Sequence, residues 1–524
     1  MKAKKKRETP VARLADFGGA AAAVGLLTFA VYLPTLWSGF VYDAEAQILI
    51  GDYIHNRANL FEVVTFGVLG RDVLDFNRPV QLFSLMVDSF FWGRNPVGYH
   101  LTSNLIHALN AALVFLLIVR VLPGVEERAR SGIAALCALG FAFHPVNVEA
   151  VAEVSCREDL LATMFVLLGL LLAEGFARHG GWRGRFFAAG CVLSLFLACG
   201  AKETGVAGPF LLGGYWLFFQ RGQPWRRWAG LVVAAFAVAA GFFVMRFSLQ
   251  PEDSQIFLHP PQYLGGSLAK VLEIQPRLWA FLLKCVFWPF GLSADYEPTN
   301  VMWITLPAAV IVLAIFVALQ LWLAWKSPLG ALGAVMFWLA LASVSNFVPM
   351  YRPLADRFLY MPLAGMALMT AGTLVLAARR REILVPLLAG GTLLLAPLAV
   401  LNLKRQAVFS SSLALWLDTT TKSPTSNTAA NNLGYAYLAA NEPEAALKAF
   451  ERVLKMTNGK YADAQAGAAM ALERMGRKEE AEQALQQAIA LEARYSDPPK
   501  LVKALTTSRE NAALLQEIND RLAY

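Results

Sequence analysis

Apolar runs long enough to cross a bilayer recur along this chain, and they constrain its fold more than any other feature. A membrane helix needs ~20 such residues at 1.5 Å each. The first run extends from Gly18 to Phe40, behind the basic stretch MKAKKKRETPVARLADF. Signal peptides have a shorter apolar core of ~7–15 residues and a small-residue cleavage site, so we expect an uncleaved first span. Further runs fall at about 99–121, 131–143, 158–177, 186–200, 204–220, 228–247, 303–325, 330–348, 358–378 and 383–402, which makes eleven. Composition agrees: 57% of residues are hydrophobic and 16% charged, against ~45–50% and ~25% in soluble domains. Three or four soluble domains are thereby excluded, as is disorder for most of the chain.

Positive charge orients the runs. Arg120, Arg128 and Arg130 follow the second, and Arg178, Arg183 and Arg185 the fourth. Arg221, Arg226 and Arg227 follow the sixth, Lys326 the eighth, and Arg379, Arg380 and Arg381 the tenth. Cytoplasmic loops carry this excess, so the N-terminus is expected inside. The net charge of +8 then reports topology, and no nucleic-acid partner is implied. Residues 278–292 are apolar but short and contain Lys284. We read them as an interfacial or re-entrant helix, a full span being the weaker alternative. The five cysteines are scattered without CxxC spacing, which suggests neither a zinc site nor a disulfide framework.

After Asn402 the chain turns rich in Ala, Glu, Lys and Gln. NNLGYAYLAANEPEAALKAFERVLKM fits the tetratricopeptide pattern, with Leu433, Gly434, Tyr437, Ala446 and Phe450 at its packing positions. A weaker copy follows, in which Ala481 and Leu485 echo Ala446 and Phe450. The expected fold is therefore all-α: a polytopic membrane bundle over residues 1–403, then a tetratricopeptide solenoid over 404–524. An odd number of spans puts the repeats opposite the N-terminus, on the extracytoplasmic side.

A charge at the bilayer centre costs ~2.5–3.5 kcal/mol on insertion scales, so ionisable residues at span ends are functional candidates. The expected outer side collects Asp43, Glu45, Arg71, Asp72, Asp75, Arg78, His144, Glu149, Glu153, Arg157, Lys202, Glu203, Asp295, Arg352, Asp356 and Arg357. Glu149, Glu153 and Arg157 recur every four residues, as on one face of a surface helix where Arg157 would offset Glu153. His100, Asn104 and His107 share a face of the second run, where hydrogen bonding between helices is the favoured reading. A divalent metal at His144 and Glu149 is conceivable, but two ligands are weak evidence for one.

Several strings then look familiar in order. SGFVYDAEAQIL is followed by NRPVQLFSLMVDSFFWGRNPVGYHLTSNLIHALNAALVF, FHPVNVEAVAEVSCREDLLA, CGAKETG, LSADY and LADRFLYMPLAG, with the repeats at the end. The set resembles bacterial relatives of the transmembrane and tetratricopeptide-repeat O-mannosyltransferases, in the GT-C glycosyltransferase superfamily. The resemblance implies a multi-pass protein of the bacterial inner membrane, a polyprenyl-phosphate-sugar donor and an acceptor arriving from outside. It also implies an acidic motif in the first outer loop, typically two adjacent aspartates; Asp43 matches the first, and Ala44 replaces the second.

On this reading a hydroxyl, on Ser or Thr of exported proteins, attacks the anomeric carbon in one inverting displacement. The alternatives are a glycolipid or envelope-polymer acceptor, or a degenerate homologue serving as a scaffold. Asp43 is the expected base, with Glu45 as a substitute acid, because a positioned carboxylate accelerates such attack ~10²–10⁴-fold. Fixed cations should stabilise the departing phosphate, and Arg157, Lys202 and Arg357 are the candidates. Arg78, His100, His144, Glu149, Glu203, Arg352, Asp356 and Tyr360 complete the candidate set. No cofactor is implied, and a partner protein on the repeats is conceivable.

Overall fold

The computed structural model describes residues 17–122, 125–250, 261–297, 301–378, 380–503 and 508–522. The basic N-terminal flank, Arg379 and residues 251–260 of the Pro-rich outer segment lie outside them. Every described element is helical. The C-terminal end of α1 (Gly18–Tyr32) tightens into a turn at Pro34, and a long loop follows with α2 (Leu60–Val64) and α3 (Pro79–Trp92). Helix α4 (Pro96–Val121) starts where the Asn95 side chain accepts the Val97 N–H and Pro96 supplies a preset φ. Then come α5 (Glu127–Phe143), α6 (Asn147–Ala152), α7 (Arg157–Arg178), α8 (Gly181–Ala201), α9 (Ala207–Phe219) and α10 (Trp225–Leu249). The bundle closes with α11 (Leu268–Phe287), α12 (Leu306–Lys326), α13 (Pro328–Ser343), α14 (Tyr360–Ala377) and α15 (Arg381–Val408).

All eleven apolar runs form helices, but only eight described helices have the length and composition to cross a membrane. The runs expected at 131–143, 204–220 and 330–348 become α5, α9 and α13, of 17, 13 and 16 residues. At 1.5 Å per residue these reach about 20–25 Å, short of the ~30 Å hydrocarbon. They pack against longer neighbours, α5 on α4, α9 on α7 and α13 on α14. The segment around 278–292 forms the end of α11, a 20-residue helix with Pro276 inside, which is not among the eight.

Neutral polar groups knit the bundle. Asn104 Nδ2 donates to the Tyr32 carbonyl at 3.0 Å, and His107 Nδ1 meets the Tyr360 hydroxyl at 2.7 Å. Asn110 Nδ2 donates to the same hydroxyl at 3.0 Å and to the Leu160 carbonyl at 2.9 Å. The polar face of α4 thus ties α1, α7 and α14 together, as polar residues do in lipid. Glycine provides the closest approach: a Cβ on Gly333 of α13 would lie 2.5 Å from the Gly365 carbonyl oxygen of α14.

The C-terminal helices are α16 (Ser412–Lys422), α17 (Asn427–Ala439), α18 (Pro443–Met456), α19 (Ala462–Arg474), α20 (Lys478–Leu491), α21 (Pro498–Lys503) and α22 (Arg509–Leu522). Ala446, Phe450, Ala481 and Leu485 are fully buried in their core, at the packing positions read from sequence. These helices do not hang free. The Gly39 N–H donates to the Ser410 carbonyl at 3.0 Å, and the Trp416 ring lies 5.3 Å from that of Tyr42. Leu415 and Trp416 belong to the same apolar core as the bundle.

Candidate functional site

The bundle end that carries the long loop between α1 and α4 holds a polar recess. Val41 and Ala44 are buried on either side of Tyr42 and Asp43, so the turn between them is pinned from within. Tyr42 adopts φ +58°, a left-handed conformation that costs a non-glycine residue energy and recurs at functional turns. Asp43 keeps an exposed side chain and, among the described residues, makes no hydrogen bond or ion pair. Desolvation by the surrounding protein lifts its carboxyl to about 6; Arg357 opposes the rise, and the Asp75 and Glu158 charges add to it.

The next acid comes from 109 residues away. Glu153 Oε1 accepts the Ala44 N–H at 3.1 Å, the Ser155 hydroxyl at 2.5 Å, and its Oε2 the Ser155 N–H at 3.2 Å. Burial, then the neighbouring Asp43 charge, hold its carboxyl well above the usual range. The single surface helix expected from the Glu149, Glu153, Arg157 spacing does not form. Helix α6 ends at Ala152, Glu153 is extended, and its carboxylate caps a tight turn before α7. Nor does Arg157 offset Glu153. It is fully buried and pairs with Asp88 at 2.6 Å, while it donates to Ser84, Ser103 and the Tyr99 carbonyl. Its guanidinium has no face left for a phosphate.

Cations line the recess, each with acids already beside it. Arg357 grips Glu149 through its guanidinium and donates its N–H to the same carboxylate at 3.1 Å. Lys202 ends α8 and meets Asp159 at 2.5 Å and Glu158 at 3.5 Å. Its turn folds tightly because Gly205 presents no Cβ, which would sit 2.4 Å from the Ala198 carbonyl oxygen. Arg78 links Asp75 at 3.0 Å, Glu158 at 3.3 Å and Glu203 at 3.7 Å. Against the burial that would raise it, Arg78 and Arg246 hold the Glu203 carboxyl down to about 2. Asp75, also desolvated, is raised.

The other candidates sit around this centre or away from it. Glu45 turns to the repeat side and accepts the Ser412 hydroxyl at 2.6 Å. Arg352 lies 4.5 Å over the Tyr42 ring and meets Asp295 at 3.2 Å. Asp356 is buried between the Tyr296 hydroxyl at 2.6 Å and Arg405 at 3.2 Å. His100 bonds the Gly39 carbonyl at 3.3 Å, and Tyr360 belongs to the polar seam of α4. His144 and Glu149 are not brought together: His144 Nε2 bonds the Val286 carbonyl at 2.9 Å. Among the described residues no three His, Cys, Asp or Glu side chains cluster as metal ligands. Sequence reasoning passed over Glu158, Asp159 and Arg246. Their signal was charge at the ends of apolar helices, the first two within the SCREDLLA string itself.

Fold and recess define a class: an all-α, multi-pass membrane protein with a charged hollow at one end of its bundle and a tetratricopeptide region beside it. The tetratricopeptide-repeat profile matches residues 437–514. The chain is similar to protein O-mannosyl-transferase Tmtc1 of Drosophila melanogaster, 31% identical over 200 residues covering 37% of this chain and 22% of that protein. It is similar also to protein O-mannosyl-transferase F38B6.6 of Caenorhabditis elegans, 23% identical over 66% of this chain and 50% of that protein. The match thus spans half or less of the length of these curated relatives. Among solved structures it resembles ArnT from Cupriavidus metallidurans bound to undecaprenyl phosphate, 15% identical with a TM-score of 0.41 over 97% of this chain and 89% of that one. The apo form of ArnT gives 17% identity and a TM-score of 0.40 over 90% and 80%.

Proposed function

We propose that this chain is a membrane glycosyltransferase that moves a sugar from a polyprenyl-phosphate donor to a hydroxyl acceptor, Ser or Thr of exported proteins, in one inverting displacement. Residues 1–403 would form the transferase domain, with the shorter α5, α9 and α13 crossing beside the eight longer helices, and 404–524 the extracytoplasmic repeat domain, with the N-terminus in the cytoplasm. Support for that orientation is that Arg120 and Arg178 meet on Glu174 at the bundle end away from Asp43, where cytoplasmic charge is expected.

One observation carries the reading: Asp43 stands open and unpaired in a recess whose walls hold Arg357, Arg78 and Lys202. A carboxylate lifted to about 6 is still largely ionised at pH 7 and is a better base than an ordinary aspartate, since basicity matched to working pH favours proton transfer. Asp43 would take the acceptor proton as its oxygen bonds the anomeric carbon. The electron pair of the breaking sugar–oxygen bond passes to the phosphate, where Arg357 and Lys202 would share their charge between the anion and their present acids. Glu149 would hold Arg357 in place. The Trp416 and Ser412 contacts put α16, which leads into the repeats, beside Tyr42 and Glu45, where an acceptor segment would enter.

The test is transfer from a radiolabelled polyprenyl-phosphate sugar to a Ser/Thr-rich peptide in proteoliposomes. Asp43→Asn should lose at least a hundredfold in rate while donor affinity persists. Full activity in Asp43→Asn would end the proposal. Transfer to glycolipid and not to peptide would select the other acceptor class, and silence of the wild-type chain with every donor would favour the scaffold alternative.

A further inference from the structure

At the opposite end of the bundle from Asp43, α8 and α10 part to leave a lipid-facing groove of about 780 Å³. Small residues open it: Ala188 and Ala189 on one wall, Gly230 and Ala234 on the other, with Val192 and Phe196 deeper in. The groove runs only part of the way along the helices. Toward the Asp43 end it is stopped where Phe196 packs on Phe66 and Phe242, at ring distances of 5.3 and 6.0 Å. Its walls are otherwise apolar, and its mouth is basic.

Arg227 lines the mouth. It lies 4.1 Å over the Phe176 ring and donates to the Phe176 and His179 carbonyls, and among the described residues it forms no ion pair. Arg185 precedes Ala188 and Ala189 by three and four residues, and Arg226 precedes Gly230 by four, so both stand on the groove's own helical faces. Both are exposed and, among the described residues, neither forms an ion pair. Trp182 and Trp225, 70% and 62% exposed, flank them in the manner of interfacial anchors. The groove's own helices supply no acid: Glu174 is occupied by Arg120 and Arg178, and the sequence has no Asp or Glu from 175 to 202 or from 204 to 251. An apolar slot that ends in uncompensated arginines at the membrane surface matches an amphiphile with an acyl chain and an anionic head.

We propose that this groove is a binding site for an anionic diacyl phospholipid of the leaflet opposite the Asp43 recess, with one acyl chain between α8 and α10 and the phosphate against Arg185, Arg226 and Arg227. The site is separate from the recess and does not depend on the chemistry proposed there.

Native mass spectrometry of the full-length protein tests it, after delipidation and titration with phosphatidylglycerol or phosphatidylcholine of identical chains. The wild type should retain one phosphatidylglycerol, weakened by raised salt, and should not retain phosphatidylcholine. Arg185→Gln/Arg226→Gln changes only exposed side chains and should weaken phosphatidylglycerol about fivefold per arginine, as expected for ~1 kcal/mol per surface cation. Ala189→Leu/Ala234→Leu fills the slot and should abolish retention. Equal retention of the two lipids by the wild type overturns the proposal, and so does unchanged phosphatidylglycerol binding in the arginine variant. Loss in the arginine variant with full retention in the filled variant would show a head group adsorbed without a chain, and overturns it as well.

Discussion

The Ala44 N–H donates to Glu153 Oε1 at 3.1 Å, so a carboxylate from the loop between α5 and α7 holds the turn that presents Asp43. The Ala44 side chain itself is fully buried and belongs to the apolar cluster of Phe40, Ile48, Leu85 and Val154. A second aspartate at this position would enter that cluster beside an acid already desolvated.

Ala44→Asp should therefore lower thermal stability by several kcal/mol, because an unpaired buried carboxylate keeps most of its desolvation cost. Transfer activity should fall with it. Thermal unfolding in detergent and the proteoliposome assay check this, and a gain of activity would show that the chain lacks an acid it needs.

Glu153→Gln keeps the shape but weakens the acceptor for Ala44 and Ser155. We expect kcat to drop about tenfold with donor KM nearly unchanged, since the effect is on the placement of Asp43 and not on phosphate. Glu153→Ala leaves buried donors without a partner and should cost about 1–3 kcal/mol of stability as well. Steady-state kinetics across the two variants separates positioning from folding.

The pH dependence has a definite sign. Asp43 acts as a base only when ionised, so kcat/KM should fall as pH drops through about 6. Because its folded pKa is raised above the unfolded one, the stability it contributes is complete below ~4 and is lost as pH rises through about 6. Asp43→Asn should then match the wild-type melting temperature near pH 4 and exceed it modestly at pH 8. Melting curves at the two pH values decide it; a wild type that gains stability on the variant between them contradicts the raised pKa.

Arg157 and Arg357 should behave differently although both were expected to bind phosphate. Arg157→Met strands Asp88 in the interior, and breaking a buried pair costs about 3–5 kcal/mol, so loss of folded protein is the expected readout. Arg357→Lys keeps the charge but not the double contact to Glu149. It should raise donor KM severalfold with the fold intact, as size-exclusion profiles and kinetics would show.

Gly333→Ala tests the closest helix contact. Its Cβ would meet the Gly365 carbonyl oxygen at 2.5 Å, so α13 and α14 must separate. We expect about 1–3 kcal/mol of destabilisation, the usual range for overpacking, read as a lower unfolding midpoint with catalysis unchanged at permissive temperature.

Much of the architecture was legible in the chain because burial in lipid follows composition and length, which are local quantities. The apolar runs gave the bundle helices, and the spacing around Gly434 and Phe450 gave the repeats. The length of α9 was less legible: hydropathy alone does not reveal that an apolar run of 17 residues forms a helix of only 13, since neighbouring helices decide where it ends. Pairing of charges was hidden for a different reason. Arg157 and Arg357 look alike in sequence, yet one is consumed by Asp88 and the other faces the recess, since electrostatic partners are chosen by distance in space. Glu153 and Ala44 are 109 positions apart, and only folding of the loop between α5 and α7 onto the loop after α1 makes one the support of the other. Sequence by itself determined the helices and the repeats. Tertiary structure decided which charges are free to act, because an ion's environment is set by the neighbours that packing brings to it.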